Sequence, residues 1–76
     1  MNNVLRMIPT DSTCIKAFGY KPSQKLLVVN FRNGDSLYEF YDFPYTKFLA
    51  LCEVASVGTY FHEKIQGNYV SDKISD

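Results

Sequence analysis

Apolar positions fall first in short runs of strand length and then at helical spacing, so the chain reads as strands followed by helices. A first strand is expected from about Thr13 to Tyr20, with Asp11 and Ser12 as polar punctuation before it and Gly19 near its end. Lys21-Pro22-Ser23-Gln24 reads as a turn, because proline presets φ at the second turn position and serine bonds nearby backbone. Lys25 to Phe31 is the second strand, its Leu26, Leu27, Val28, Val29 and Phe31 forming a run too short for a helix. Asn33-Gly34 then marks a two-residue type I′ hairpin, in which both central residues need positive φ. The third strand is Tyr38-Glu39-Phe40-Tyr41-Asp42-Phe43.

Such a turn sets the register. Arg32 faces Asp35, Phe31 faces Ser36, Val29 faces Tyr38 and Leu27 faces Phe40. Leu27, Val29, Phe31, Tyr38 and Phe40 then share the more apolar face and are expected to pack under helices. Leu26, Val28, Asn30, Leu37, Glu39 and Tyr41 share a mixed face that is expected to stay open. Pro44 suits a helix first turn, and Asp42 just upstream is a candidate cap. From there a helix is expected to about Ala55, with Phe48, Leu51, Cys52 and Ala55 as the inward stripe and Lys47 and Glu53 outward. Ser56 and Gly58 break it, and Ser56 caps a shorter helix from Thr59 to Gln66, stapled by Phe61 and Ile65 and stopped at Gly67. Asn68 onward reads as a short frayed tail, with Tyr69, Val70 and Ile74 available to dock locally. The predicted architecture is α+β: a three-stranded antiparallel meander followed by two helices on one sheet face.

Composition narrows the function. At 76 residues this is one domain, which buries only about 60% of its unfolded-chain surface. Six Tyr, six Phe and no Trp point to aromatic surface for packing or contact. Eight basic and eight acidic side chains balance, and they are interspersed, so a concentrated phosphate-binding face is not expected. No segment approaches the ~20 apolar residues that span a bilayer, and no signal peptide is apparent, which makes the cytoplasm the default compartment.

Catalytic candidates are few. His62 is the only histidine, and Cys52, ten positions before it, lacks a third orienting group. Cys14 and Cys52 lie far apart without metal-ligand spacing, and both are expected to be small buried thiols. Asp11, Asp35, Glu39 and Asp42 fall at turns and strand faces, where capping and solvation explain them. No glycine-rich phosphate loop occurs. Neither catalysis nor a cofactor or metal is expected.

Ser12, Thr13, Ile15, Phe18-Gly19-Tyr20, Leu27, Val29, Phe31, Gly34, Tyr38, Phe40, Phe43-Pro44, Ala55-Ser56, Gly58, Tyr60-Phe61 and Ile65 together form a pattern that resembles the KTSC domain. The resemblance runs over residues 12–69, leaving an N-terminal segment 1–11 and a C-terminal tail 70–76. It implies a small domain of the kind found at the C-terminus of some lysyl-tRNA synthetases and as stand-alone bacterial or phage proteins, with RNA binding suggested. The family's central Tyr-x-Tyr motif here reads Tyr38-Glu39-Phe40, so the second hydroxyl is absent. His62 stands where the resemblance leads one to expect Asn, and Lys21 where an acidic residue is common. A Phe at position 40 favours a structural role for that ring.

Two binding readings follow. In the first, an open sheet face stacks unpaired RNA bases, with Tyr41, Arg32, Lys16, Lys25 and Tyr20 as contact residues. In the second, the same face, through Leu26, Val28, Leu37 and Tyr41, docks a protein partner or a second copy as a homodimer.

Overall fold

In the computed structural model, which describes residues 5–74, five strands form one antiparallel sheet in chain order. They are β1 (Ile8–Pro9), β2 (Ile15–Lys21), β3 (Leu26–Phe31), β4 (Leu37–Phe40) and β5 (Ser71–Lys73). Between β4 and β5 the chain forms helix α1 (Tyr45–Glu53) and helix α2 (Val57–Tyr60), which continues into a wider π turn (Phe61–Ile65). The α+β class and the central meander β2-β3-β4 agree with the hydropathy pattern. The strand count does not. β1 and β5 arise in the segments 1–11 and 70–76 that had been set apart as flanks, whose outermost residues lie outside the described ones. Strands of two and three residues carry no periodicity to read. The expected frayed tail is held by backbone bonds instead: Tyr41 N–H donates to the Val70 carbonyl at 2.9 Å and Ile74 N–H to the Leu37 carbonyl at 2.8 Å.

The register is the expected one, with Leu27 opposite Phe40 and Val29 opposite Tyr38. The turn is different. Phe31 N–H donates to the Ser36 carbonyl at 2.8 Å, closing a four-residue loop in which Gly34 (φ 74) and Asp35 (φ 52), not Asn33, take the left-handed conformation. Opening the Arg32-Asp35 pair into the loop leaves every pair above it unchanged, so a wrong turn type still gave the right faces. The first hairpin behaves alike: Lys25 has φ 54 and belongs to the loop, and β3 starts at Leu26.

The inward face builds the core. Ile15, Phe18, Leu27, Val29 and Phe40 pack with Phe43, Leu51, Phe61 and Ile65, all nearly solvent-free, while Tyr20, Phe31 and Tyr38 close over them. Helix ends depart from the sequence reading. Asp42 does not cap α1 but turns the chain at φ 55, and Pro44 is the N-cap, its carbonyl accepting from Lys47 N–H at 3.0 Å. α1 stops at Glu53 because Val54 is extended, so Leu51 and half-buried Phe48 face the sheet while Cys52 and Ala55 are exposed. Ser56 does cap the next helix, its Oγ accepting from Thr59 N–H at 3.3 Å, but that helix starts at Val57 and Gly58 lies inside it.

The outer face is not open as expected. Leu26 and Val28 are only 6% and 1% exposed. Val28 pairs with Gly19, and a Cβ on Gly19 would come within 2.6 Å of the Arg6 carbonyl oxygen, 3.0 Å of Met7 Sδ and 3.1 Å of Leu5 Cδ1. The segment Leu5–Met7 therefore runs as a strap across this face, and glycine at 19 lets its backbone approach the sheet.

Candidate functional site

Strand periodicity sends Tyr38 and Phe40 to the helix side of β4 while Glu39 faces out. There the two rings line a groove of about 610 Å³ between the sheet and the Phe61–Ile65 turn. Its aromatic wall is an edge-to-face chain: Phe31 meets Tyr38 at 5.4 Å and 87°, Phe31 meets Phe61 at 5.4 Å and 73°, and Phe40 meets Phe61 at 5.5 Å and 81°. Such arrangements set the negative face of one ring against the positive edge of the next. Phe40 is buried at 5% exposure, which agrees with a structural role for this ring, whereas Tyr38 keeps a half-exposed surface. Register places Lys73 directly opposite Tyr38 on β5 and Ser71 opposite Phe40.

The polar rim is where the sequence was least informative. Cys14 and His62, distant in the chain, line this groove together. His62 Nδ1 lies 2.6 Å from Gln66 Oε1, an i, i+4 contact along the π turn. His62 first, and the Thr13 hydroxyl second, hold the Cys14 thiol below its ordinary pKa; Cys14 first, and Gln66 second, raise the His62 imidazole. Both cysteines are free and exposed rather than buried as expected. Cys52 nevertheless sits in the opposite electrostatic setting, its thiol pushed up by partial burial and by the Glu53 carboxylate. His62 therefore shares its groove with Cys14, not with Cys52. No residue spacing could have revealed that proximity, because the loop before β2 and the π turn meet only in the folded chain.

A tight local network presents Cys14. Ser12 Oγ accepts from the Cys14 and Ile15 amides at 3.0 and 3.1 Å, and Thr10 Oγ1 accepts from the Ser12 amide at 3.0 Å. Arg32 clamps the loop from the next hairpin, donating from Nε to the Ser12 carbonyl and from Nη2 to the Thr10 carbonyl, each at 2.7 Å.

The five contact residues expected from the sequence do not form one surface. Lys16 and Arg32 lie near the β3-β4 turn, Lys16 pairing with Asp35 at 3.3 Å and Arg32 holding the loop just described. Lys25 is at the opposite end of the sheet, in the β2-β3 loop. Tyr20 stacks on Phe48 at 5.1 Å and 16° and donates its hydroxyl to the Phe43 carbonyl, inside the helix-side cluster. Tyr41 bonds Asp72 Oδ2 at 3.1 Å beside β5, and burial, then that carboxylate, raise its phenol. Among the motif residues, Gly34 takes positive φ, Pro44 and Ser56 cap α1 and α2, and Phe61 joins the groove wall. Among the described residues no group of three or more His, Cys, Asp or Glu could hold a metal ion, and no helix is long and apolar enough to cross a membrane.

Comparison with known proteins adds three findings. The family model of the KTSC domain matches residues 11–69. A lysine–tRNA ligase from Nostoc sp. is 32% identical over 69 residues, which is 91% of this chain but 12% of that protein. A crystal structure of a KTSC domain protein from Yersinia pestis superposes with a TM-score of 0.88 at 25% identity, covering 95% of this chain and all of the other.

Proposed function

This chain belongs to the KTSC domain family, and we propose that it is a small non-catalytic module that binds single-stranded RNA by taking an unpaired base into the groove beside Tyr38-Glu39-Phe40. One observation carries the reading: the central motif faces a recess of about 610 Å³ whose wall is aromatic and whose rim offers hydrogen-bonding groups at His62, Gln66 and Ser71. Sheet-borne rings flanked by polar groups suit splayed bases, since every base has a π-face and a hydrogen-bonding edge. Resemblance to part of a lysine–tRNA ligase supports a setting in which RNA is at hand. Zero net charge means that counterion release contributes little, so the interaction is weak and driven by base contact. Lys73, opposite Tyr38, is the cation best placed for an adjoining phosphate.

Fluorescence anisotropy with a set of labelled single-stranded RNA oligomers tests this directly. The parent chain binds, and Tyr38→Ala weakens binding by roughly 1–3 kcal/mol, the usual worth of one base stacked on a ring. Lys73→Ser lowers the salt slope by about 1. Absence of binding by the parent at low salt removes this reading.

Self-association is the second proposal, and it no longer has the surface first assigned to it, since Leu26 and Val28 are buried within one chain. What favours it now is α1, where Tyr45 and Leu49 are 53% and 43% exposed one turn apart. Light scattering over a dilution series separates a dimer from a monomer, and Leu49→Glu abolishes a dimer built on that face.

A further inference from the structure

We propose that the free edge of β5 is a docking site for an extended basic peptide of the pattern apolar-x-Lys/Arg-x-apolar, which joins the sheet as a further antiparallel strand.

Backbone alternation opens this edge. Tyr41 N–H donates to the Val70 carbonyl and Ile74 N–H to the Leu37 carbonyl, and the register sets Asp72 opposite Glu39. Residues 70, 72 and 74 therefore turn their backbone groups to β4. The amides and carbonyls of Ser71 and Lys73 point the other way, where the sheet ends. An incoming antiparallel strand can exchange bonds with both residues, which seats one short peptide and no more. In this mode main-chain bonds hold the peptide and alternate side chains select it.

The side chains specify what that peptide must carry. Val70, Asp72 and Ile74 alternate onto the outer face of the sheet, since Asp72 pairs with outward-facing Glu39. Val70 is 74% exposed and Ile74 46%, and Val70 is the most exposed large hydrophobic among the described residues. Between them Asp72 lies directly across from a second carboxylate, an unfavourable like-charge pair. Lys21 bonds Glu39 at 3.1 Å, whereas among the described residues no cation pairs with Asp72, whose partner is the Tyr41 hydroxyl. A lysine or arginine placed opposite Asp72 offsets that repulsion, and apolar residues two positions to either side cover Val70 and Ile74. Asp72 would then stand in the non-hydrogen-bonded kind of pair, in which cross-strand side chains approach most closely.

A second copy of the chain is a poorer occupant. The two-fold pairing that sets Val70 against Ile74 of another copy also sets Asp72 against Asp72, again a like-charge pair. The edge therefore suits a foreign basic segment. This inference is independent of the RNA reading, because the aromatic groove lies on the other face of the sheet.

The probe is a capped peptide, Thr-Val-Thr-Lys-Thr-Val-Thr, titrated into the isotope-labelled full chain and followed by amide NMR. Binding should shift the Ser71 and Lys73 amides and slow their exchange with solvent. Replacing the central lysine of the peptide by glutamate turns an attractive cross-strand pair into a repulsive one and should weaken binding by about twofold to thirtyfold. Added salt should narrow that difference, because the charges are exposed. Asp72→Lys should invert the preference and Asp72→Asn should erase it, with circular dichroism confirming that each variant folds; the comparison of the two peptides on the parent chain needs no variant. Equal affinity of the parent chain for both peptides, shifts that leave Ser71 and Lys73 unmoved, or no binding at millimolar peptide overturns the proposal. Movement of the same two amides on concentrating the chain alone would assign the edge to a second copy and overturn it as well.

Discussion

Gly58 occupies the first turn of α2 because nothing larger fits: an added Cβ would lie 2.7 Å from Ser12 Oγ. That hydroxyl cannot retreat cheaply, since it accepts from the Cys14 and Ile15 amides. Gly58→Ala should therefore cost about 1–3 kcal/mol, the usual range for overpacking, and lower the thermal midpoint by several degrees. Gly34 is a different case. Its φ of 74 is left-handed but an added Cβ would meet only Ser36 Oγ, at an ordinary contact distance of 3.5 Å, so the cost of Gly34→Val is mainly the backbone penalty, about 1–2 kcal/mol. Chemical denaturation of both variants checks the pair, and an unchanged midpoint for Gly34→Val would contradict the turn geometry. At the same turn, Asp35 is held below the usual carboxylate range, first by a hydrogen bond from Asn30 and then by Lys16. A depressed carboxylate contributes stability above its unfolded pKa and loses it as pH falls through the folded value. An NMR titration should find the Asp35 midpoint higher in Asn30→Ala than in the parent. Gly34 was legible because Asn-Gly announces a turn. Gly58 was not, because its reason is a serine more than forty positions away in the chain, and no local pattern records such a contact.

At the level of elements, the strands of the meander were readable because runs of β-branched and aromatic residues are local, and their pairing survived an error in the turn. Helix ends were not, because Asp42 and Val54 adopt their conformations for packing rather than propensity. The aromatic groove was half legible: the Tyr38-x-Phe40 alternation pointed to a shared face, but the rim residues come from the loop before β2, the π turn and its end, and β5, which meet only on folding. β5 offers a direct test of what the short strands contribute. A chain ending at Val70 should keep the exchange protection of β2 and β3 amides while β4 amides facing β5 exchange faster, and the thermal midpoint should fall. Uniform exchange across the sheet would mean that β5 is not a separable support.

The whole molecule is three layers, with strap, sheet and helices in that order, rather than the two that hydropathy suggested. A short chain gains from the third layer, since the strap lies over Gly19, the strand partner of Val28, and adds cover on this face without adding a helix. Gly19 is the hinge of that arrangement. Gly19→Val should push the strap away while the helix-covered core remains, so trypsin should cut after Arg6 faster than in the parent under conditions where far-ultraviolet dichroism is unchanged. No change in cleavage rate would separate the strap from the burial of Val28.

The two borders of the sheet are only two and three residues long, and the first of them contains Pro9, which has no amide hydrogen to donate. Fibril growth begins when a foreign chain zips along a row of unpaired amides, and here each row ends almost as soon as it starts. A protein this rich in tyrosine and phenylalanine is thereby kept from polymerising through its sheet, and can hold an aromatic recess at its surface without becoming a seed for aggregation.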